Sequence, residues 1–164
     1  TGYEDMELMA TGSLLGIRES RRIMGDYVLN LQDFLNRSVF EDEIGRYSYP
    51  VDIHASDASE ESYAKFEREY TTLRYGPGES YGIPYRCLIP QKLENVLVAG
   101  RCVSTDRAMQ ASIRVMPGCY ITGQAAGVAA ALAARNGITT RQLQVAELQK
   151  LLKEMGAYLP NFKG

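Results

Sequence analysis

The sequence predicts an α+β protein with two regions. Residues 1–94 contain several short segments rich in β-branched and aromatic residues, separated by turn residues, which favours a mainly antiparallel sheet. Residues 95–164 begin with an apolar run and continue with two segments of helical periodicity. We therefore expect a β region at 1–94, followed at 95–164 by a strand, a turn, a long helix and a C-terminal helix.

Composition is that of an ordinary globular protein. The chain has 164 residues, of which 45% are hydrophobic and 23% charged, and its formal net charge is -2. This charge gives no electrostatic reason to expect binding to nucleic acid or to an anionic membrane. No apolar run approaches the roughly 20 residues that a membrane span needs, and no signal peptide opens the sequence.

The cysteines indicate neither a disulfide framework nor a metal site. Cys87, Cys102 and Cys119 have no C-x-x-C spacing, and their number is odd. We expect small buried hydrophobic residues, and no metal ligands among them.

Several elements are predicted in the first region. One or two strands are expected within residues 13–31, a helical turn at 33–36, and a strand, a turn and a second strand within 38–54. The polar stretch 55–69 is interpreted as a surface insertion with some helix. Residues 71–75 and 81–88 are expected to pair across a turn.

Arg18, Arg21 and Arg22 lie beside apolar positions of this region. They fit a solvated strand edge, where positive charge blocks unwanted pairing. Alternatively, an arginine here anchors a carboxylate, because guanidinium groups hold planar anions well. On the second interpretation, Arg18 is a candidate catalytic residue.

Asp52 and His54 form a candidate acid/base pair. Two positions apart on an extended segment, they point the same way, and an imidazole held by a carboxylate can transfer protons near neutral pH. His54 is the only histidine of the chain. A lone histidine is usually structural, so that alternative stays open.

The most informative stretch is 95–136. The apolar run Val-Leu-Val at 96–98 is typical of a strand buried on both faces, and Gly100 permits a sharp turn after it. After an irregular polar crossing, a helix is expected to begin near Pro117, since proline tolerates the first helical turn. Gly137 is predicted to end it as a left-handed cap.

Two faces of this helix differ. One carries the larger apolar residues Ile121, Ala125, Val128 and Leu132. Gly123, Gly127 and Ala131 lie on another face, where a backbone or a cofactor could approach closely. Plain packing of a strand against a small-residue helix explains the same pattern, so the pattern alone requires no ligand.

A last helix is predicted within 138–159. Thr139 and Gln142 have the spacing of a capping box. An apolar stripe, which Gly156 terminates, is expected to dock on the core and comprises Leu148, Leu151, Leu152 and Met155.

No phosphate-binding loop is predicted. Gly76, Gly78 and Gly82 superficially resemble the dinucleotide fingerprint, which requires a helix to start inside it. Pro77 and Pro84 prevent that start. No G-x-G-x-x-G occurs elsewhere in the sequence.

The longer motifs resemble a known family. AGRCVS, then SIRVMP with a cysteine two residues after the proline, then GQAAGVAAALA are similar to the C-terminal flavin-binding segment of a family of FAD-dependent oxidoreductases, among the glutathione-reductase-like flavoproteins. The similarity continues upstream through YGIPYRCLIP, YPVDIH and GIRESRRIMGDYVL. It therefore covers most of the chain, in the same order.

This resemblance implies a bipartite FAD site. In such flavoproteins an N-terminal βαβ unit holds the ADP portion, and a late strand, turn and helix contact the ribityl chain and the isoalloxazine ring. The chain lacks the phosphate-binding fingerprint and starts at Thr1 rather than at methionine. We therefore expect a C-terminal portion, inactive alone, whose missing N-terminal part completes the site.

Matched residue by residue, the resemblance implies two sets of cofactor-binding positions. Gly100, Arg101 and Cys102 would lie at the turn near the ribityl chain and the pyrophosphate. The positions near the pyrimidine side of the ring would be Arg114, Val115, Met116 and Gly118. Negative charge accumulates there when flavin accepts a hydride, so the free N–H groups of a helix start would favour its reduction.

The predicted function is hydride transfer from a small organic substrate to FAD. The β region would cover the flavin on the substrate side, with Arg18, Asp52 and His54 as catalytic groups and with Tyr81 and Tyr85 lining the cavity. Two alternatives remain: a non-catalytic α+β module that binds an anion or a partner at the Pro117 helix terminus, and an interaction domain with a decayed site.

Overall fold

The computed structural model describes Gly2, residues 4–53, Ala64 and residues 72–163. Within these residues the fold is α+β, with a two-stranded antiparallel sheet and four α-helices, which confirms the predicted class. His54 and nearly all of the predicted insertion at 55–69 lie outside the described residues.

The sheet pairs β1 (Glu43–Tyr47) with β2 (Tyr81–Pro84). β2 is buried throughout, and Tyr81 lies opposite Tyr47. The predicted pairing of 71–75 with 81–88 is wrong, because β2 takes β1 as its partner. Side chains hold the 72–75 segment instead: the Tyr75 ring stacks on Phe34 with ring centroids 4.2 Å apart.

Residues 4–30 form no helix or strand, so the strands predicted within 13–31 are wrong. Two isolated bridges join Gly25 to Pro90 and Leu29 to Thr105. Successive backbone groups of this segment bond to separate loops rather than to one neighbouring strand, which prevents a ladder.

The short helix α1 (Leu31–Asn36) confirms the helical turn predicted at 33–36. The Asn30 side chain accepts hydrogen bonds from the first-turn N–H groups, and the Asp33 side chain accepts a hydrogen bond from the Asn30 N–H. This capping box explains why so short a helix forms.

The long helix predicted within 95–136 forms, whereas the run predicted as a strand is not one and the crossing predicted as irregular is partly helical. The long helix α3 (Met116–Asn136) carries Pro117 in its first turn and ends at Gly137, whose φ is +63°. The crossing before it, predicted as irregular, contains α2 (Arg107–Ile113), because the Asp106 side chain caps that helix by accepting the Met109 N–H at 2.7 Å.

The run predicted as a strand at 96–98 forms no strand and has no ladder partner among the described residues. The Val98 N–H donates to the Leu88 carbonyl at 2.8 Å. Gly100, at φ +74°, then opens a 3₁₀ turn (Gly100–Cys102) as the predicted sharp turn requires.

The last helix, α4 (Val145–Glu154), packs on α3 and β1. Leu148 and Leu152 are buried as predicted, whereas Met155 is 57% exposed. The Gln142 side chain accepts the Thr139 N–H at 3.0 Å, but this bond closes a turn ahead of the helix rather than capping it.

The core lies between the sheet and α2, α3 and α4. Its largest fully buried side chains include Tyr81, Phe34, Leu29, Ile44, Ile83, Leu88 and Met109. No single helix of the described chain is long and apolar enough to cross a membrane; α2 and α3 reach that composition only together, with a 91° bend between them.

Candidate functional site

A cavity of about 360 Å³ opens at the first turn of α3. The N-terminal segment, β1, the 3₁₀ turn and the α2–α3 junction all contribute to it. Its lining residues are Arg18, Tyr47, Tyr49, Arg101, Arg114, Val115, Met116 and Pro117. The structure therefore brings together five predicted site residues from three separate parts of the sequence: Arg18, Arg101, Arg114, Val115 and Met116.

Arg114 is held rigidly at this cavity. Its side chain is 3% exposed, and its Nη1 lies 2.6 Å from the Glu19 carboxylate. Nη2 donates to the Asp52 carbonyl at 2.8 Å, with the Asp52 carboxylate 3.9 Å away. Nε is buried and has no hydrogen-bond partner among the described residues. The guanidinium is thus balanced by acidic neighbours yet keeps one unsatisfied donor, which is uncommon for a buried polar group.

No flanking side chain caps the start of α3 at the cavity. Val115 is the N-cap residue and its side chain offers no hydrogen-bond acceptor, and the first turn of α3 carries no acidic residue. Burial raises the pKa of Tyr47, and the nearby backbone N–H of Gly118 opposes that rise. The first-turn N–H groups, which have no acceptor within the helix, place the positive end of the helix dipole at the cavity.

Tyr47 and Tyr49 form an aromatic wall of the cavity, which the sequence analysis does not predict. The two rings are nearly parallel, 15° apart with centroids separated by 6.4 Å. Tyr49 lies within the YPVDIH motif, and that was the signal available in the sequence. Tyr81 and Tyr85, predicted to line the cavity, do not: Tyr81 is fully buried, and Tyr85 lines a different cavity.

The 3₁₀ turn reaches the cavity through Arg101 alone. The Gly100 N–H donates to Thr122 Oγ1 at 3.0 Å, which ties the turn to α3. Arg101 also donates to the Ile17 carbonyl at 3.2 Å, and Cys102 is exposed. Gly100 and Cys102 are not lining residues, so their predicted contact with a cofactor stays a prediction.

Gly118 has a packing reason to be glycine. A Cβ at this position would lie 2.2 Å from the Ile113 carbonyl oxygen. The α2–α3 junction therefore needs a glycine whether or not a ligand binds, and the predicted cofactor role of Gly118 stays a prediction.

The predicted acid/base pair is described only in part. Asp52 lies beside Arg114 at the edge of the site, whereas His54 is outside the described residues. No group of three or more metal-ligating side chains lies together in the described part of the chain.

A second cavity, of about 640 Å³, lies elsewhere on the molecule. Its two arginines are already paired: Arg86 with Asp42 at 2.9 Å, and Arg141 with Asp26. None of the predicted catalytic or cofactor-binding residues that the structure describes lines it. We therefore assign the candidate site to the cavity of about 360 Å³, although the second cavity is larger.

The fold and the site define an α+β protein with an arginine- and tyrosine-lined cavity at the start of its longest helix. A model of the family described as FAD dependent oxidoreductase matches residues 1–152. The chain belongs to this family, which confirms the resemblance of the motifs. Comparisons with curated proteins and with solved structures give no match.

Proposed function

We propose that this chain forms the part of an FAD-dependent oxidoreductase that faces the isoalloxazine ring and the substrate, and that the reaction is hydride transfer from a small organic molecule. Family membership supports the cofactor and the class of reaction. The single observation that carries the proposal is the convergence of five predicted residues on one cavity at the first turn of α3.

The residues present fit FAD. The cavity combines a helix N-terminus without acidic residues, arginine side chains and an aromatic wall, a combination suited to a planar group that gains negative charge. The unsatisfied buried Nε of Arg114 also fits a site that lacks one of its partners. When bound, FAD supplies an acceptor for a hydride. Arg114, Val115 and Met116 would hold its ring.

The remaining residues would act on the substrate. Arg18 would bind a substrate carboxylate, since it lines the same cavity. Asp52 would orient His54, which would hold or release the substrate proton. Glu19 would keep the Arg114 guanidinium in place through its 2.6 Å ion pair.

Open apolar surfaces support the expected second part of the protein. Gly123 and Gly127 on α3 are exposed with open space beside them, and Val96, ahead of the 3₁₀ turn, is 40% exposed. A segment outside these 164 residues that holds the ADP portion would cover both surfaces. On this proposal residues 95–164 belong to the FAD-binding domain and residues 1–94 to the substrate-side region.

The test uses the complete protein, with the polypeptide upstream of this chain. It should purify with the visible absorption of a flavin and bleach with a chemical reductant. Arg101→Ala should weaken FAD binding, whereas Arg135→Ala, which removes an exposed arginine from an ion pair with Glu147, should not. A colourless protein that ignores added FAD would instead favour the anion- or partner-binding module.

The acid/base proposal has a separate test. His54→Ala should lower the turnover of the complete enzyme while its flavin spectrum stays normal. Full turnover in this variant would remove His54 from the mechanism.

A further inference from the structure

The Tyr49–Asp52 segment carries part of the cavity wall but is not itself a strand. Its backbone contacts include a long bond from the Val51 N–H to the Leu73 carbonyl, at 3.4 Å. Two shorter bonds come from side chains at the end of α2. Ser112 Oγ donates to the Tyr49 carbonyl at 2.6 Å, and Arg114 Nη2 donates to the Asp52 carbonyl at 2.8 Å. Side chains at and just after the end of α2 thus anchor this segment at two of its backbone carbonyls.

Ser112 is the middle member of a buried hydrogen-bond chain. Its Oγ also lies 2.9 Å from the Tyr81 hydroxyl, and both residues are fully buried. A serine hydroxyl has one proton, and the Tyr49 carbonyl can only accept, so that proton is committed to Tyr49. Tyr81 must therefore donate to Ser112. Burial raises the pKa of Tyr81, which keeps its hydroxyl protonated as this direction requires.

The same tyrosine is coupled to the other half of the aromatic wall. Tyr81 on β2 lies opposite Tyr47 on β1, and their rings meet edge to face with centroids 6.2 Å apart. Tyr47 is therefore held through the sheet and through its ring contact with Tyr81. Tyr49 is held through Ser112. Two buried side chains, Tyr81 and Ser112, together connect both tyrosines that face the cavity.

We propose that Ser112 and Tyr81 are positioning residues that hold the Tyr47–Tyr49 wall in place against the start of α3, and so determine how well the flavin site is formed. Neither residue touches the cavity. This inference rests on the proposed function, because it assigns the wall a role in binding FAD. Rigid support of this kind decides whether a site has its productive geometry.

The proposal ranks three variants. Ser112→Ala leaves both the Tyr49 carbonyl and the Tyr81 hydroxyl without their partner. Tyr81→Phe removes one bond and leaves Tyr49 bound to Ser112, so it should be milder. Thr140→Val is the matched control, since Thr140 Oγ1 likewise donates to a distant backbone carbonyl, that of Glu94, at 2.8 Å, but lines no part of the site.

Two measurements on the complete protein decide the matter. The first is hydrogen–deuterium exchange of the peptide covering 49–53, which should accelerate in Ser112→Ala and stay unchanged in Thr140→Val. The second is FAD affinity. We expect the dissociation constant to rise about tenfold in Ser112→Ala, roughly two- to threefold in Tyr81→Phe, and not measurably in Thr140→Val.

The outcomes separate this inference from the proposed function. If Ser112→Ala matches Thr140→Val in both measurements, or loosens the segment without weakening FAD binding, the positioning role is wrong. If Ser112→Ala does not fold, a Tyr81→Phe protein with unchanged exchange and affinity overturns the role equally well. A wild-type protein that binds no FAD overturns the proposed function, and exchange alone then decides whether Ser112 holds the segment.

Discussion

Replacing Gly118 by alanine tests the α2–α3 junction on which the cavity depends. The added Cβ would lie 2.2 Å from the Ile113 carbonyl oxygen, where ordinary contact begins near 3.4 Å, so the two helices must separate by about 1 Å. The neighbouring atom is backbone and cannot rotate away. Overpacking of this kind costs roughly 1–3 kcal/mol, and alanine's better helix propensity recovers less than about 1 kcal/mol. We expect Gly118→Ala to lower the free energy of unfolding by about 2 kcal/mol.

Gly127→Ala is the internal control, because it makes the same chemical change on the same helix. An added Cβ at Gly127 meets no atom within 4 Å. Its stability should rise by up to about 1 kcal/mol through helix propensity alone. Urea unfolding followed by far-ultraviolet circular dichroism gives both values. A Gly118→Ala protein as stable as wild type, or as stable as Gly127→Ala, would refute the packing argument.

Further predictions concern pH, thiol reactivity and buried charge. Burial raises the pKa of Cys87 from 9.0 to about 12 and that of Tyr85 from 10.0 to about 12. As pH rises, the unfolded chain loses these protons before the folded chain does. The free energy of unfolding should therefore keep its full value below pH 9.0 and fall as pH rises toward about 12. Urea midpoints that do not change with pH in that range would contradict this prediction. A thiol-alkylating reagent should modify exposed Cys102 in the native protein and reach Cys87, which is 1% exposed, only after unfolding, as peptide mass spectrometry can show. Glu43→Gln should cost about 3 kcal/mol because it leaves a buried arginine without its carboxylate, against less than about 1 kcal/mol for Glu147→Gln in an exposed pair. Equal unfolding midpoints for these two variants would count against that ranking.

Several short-range signals in the sequence predict their elements correctly, although the Thr139–Gln142 spacing predicts a helix cap that does not form. Pro117 and Gly137 bound α3 as predicted, because a proline's fixed φ and a glycine's positive φ act on their own helix turn. The helical turn predicted at 33–36 also forms, as α1, and the structure adds the capping box at Asn30 that starts it. The motifs also led to the family that the comparison confirms.

The sequence predicts the pairing of distant segments less accurately. The sequence supplied strand-forming residues at 71–75 and 81–88 but could not show that β2 would choose β1 over its nearer neighbour. The strands expected within 13–31 failed for a related reason, since that segment bonds to several loops instead of one partner. Strand propensity describes a residue's fit to a sheet and does not specify the partner.

The same difference between local and long-range information applies to the candidate site. The sequence by itself indicated Arg101 and Arg114 as candidate site residues, because they belong to local motifs at the turn and at the helix start, and both line the cavity. Only the tertiary structure brought Arg18 beside them and placed Tyr49 in the wall, through a bond from Ser112 that spans 63 positions. Contacts over such separations depend on how whole elements pack, and packing is a property of the folded chain rather than of any short stretch of it.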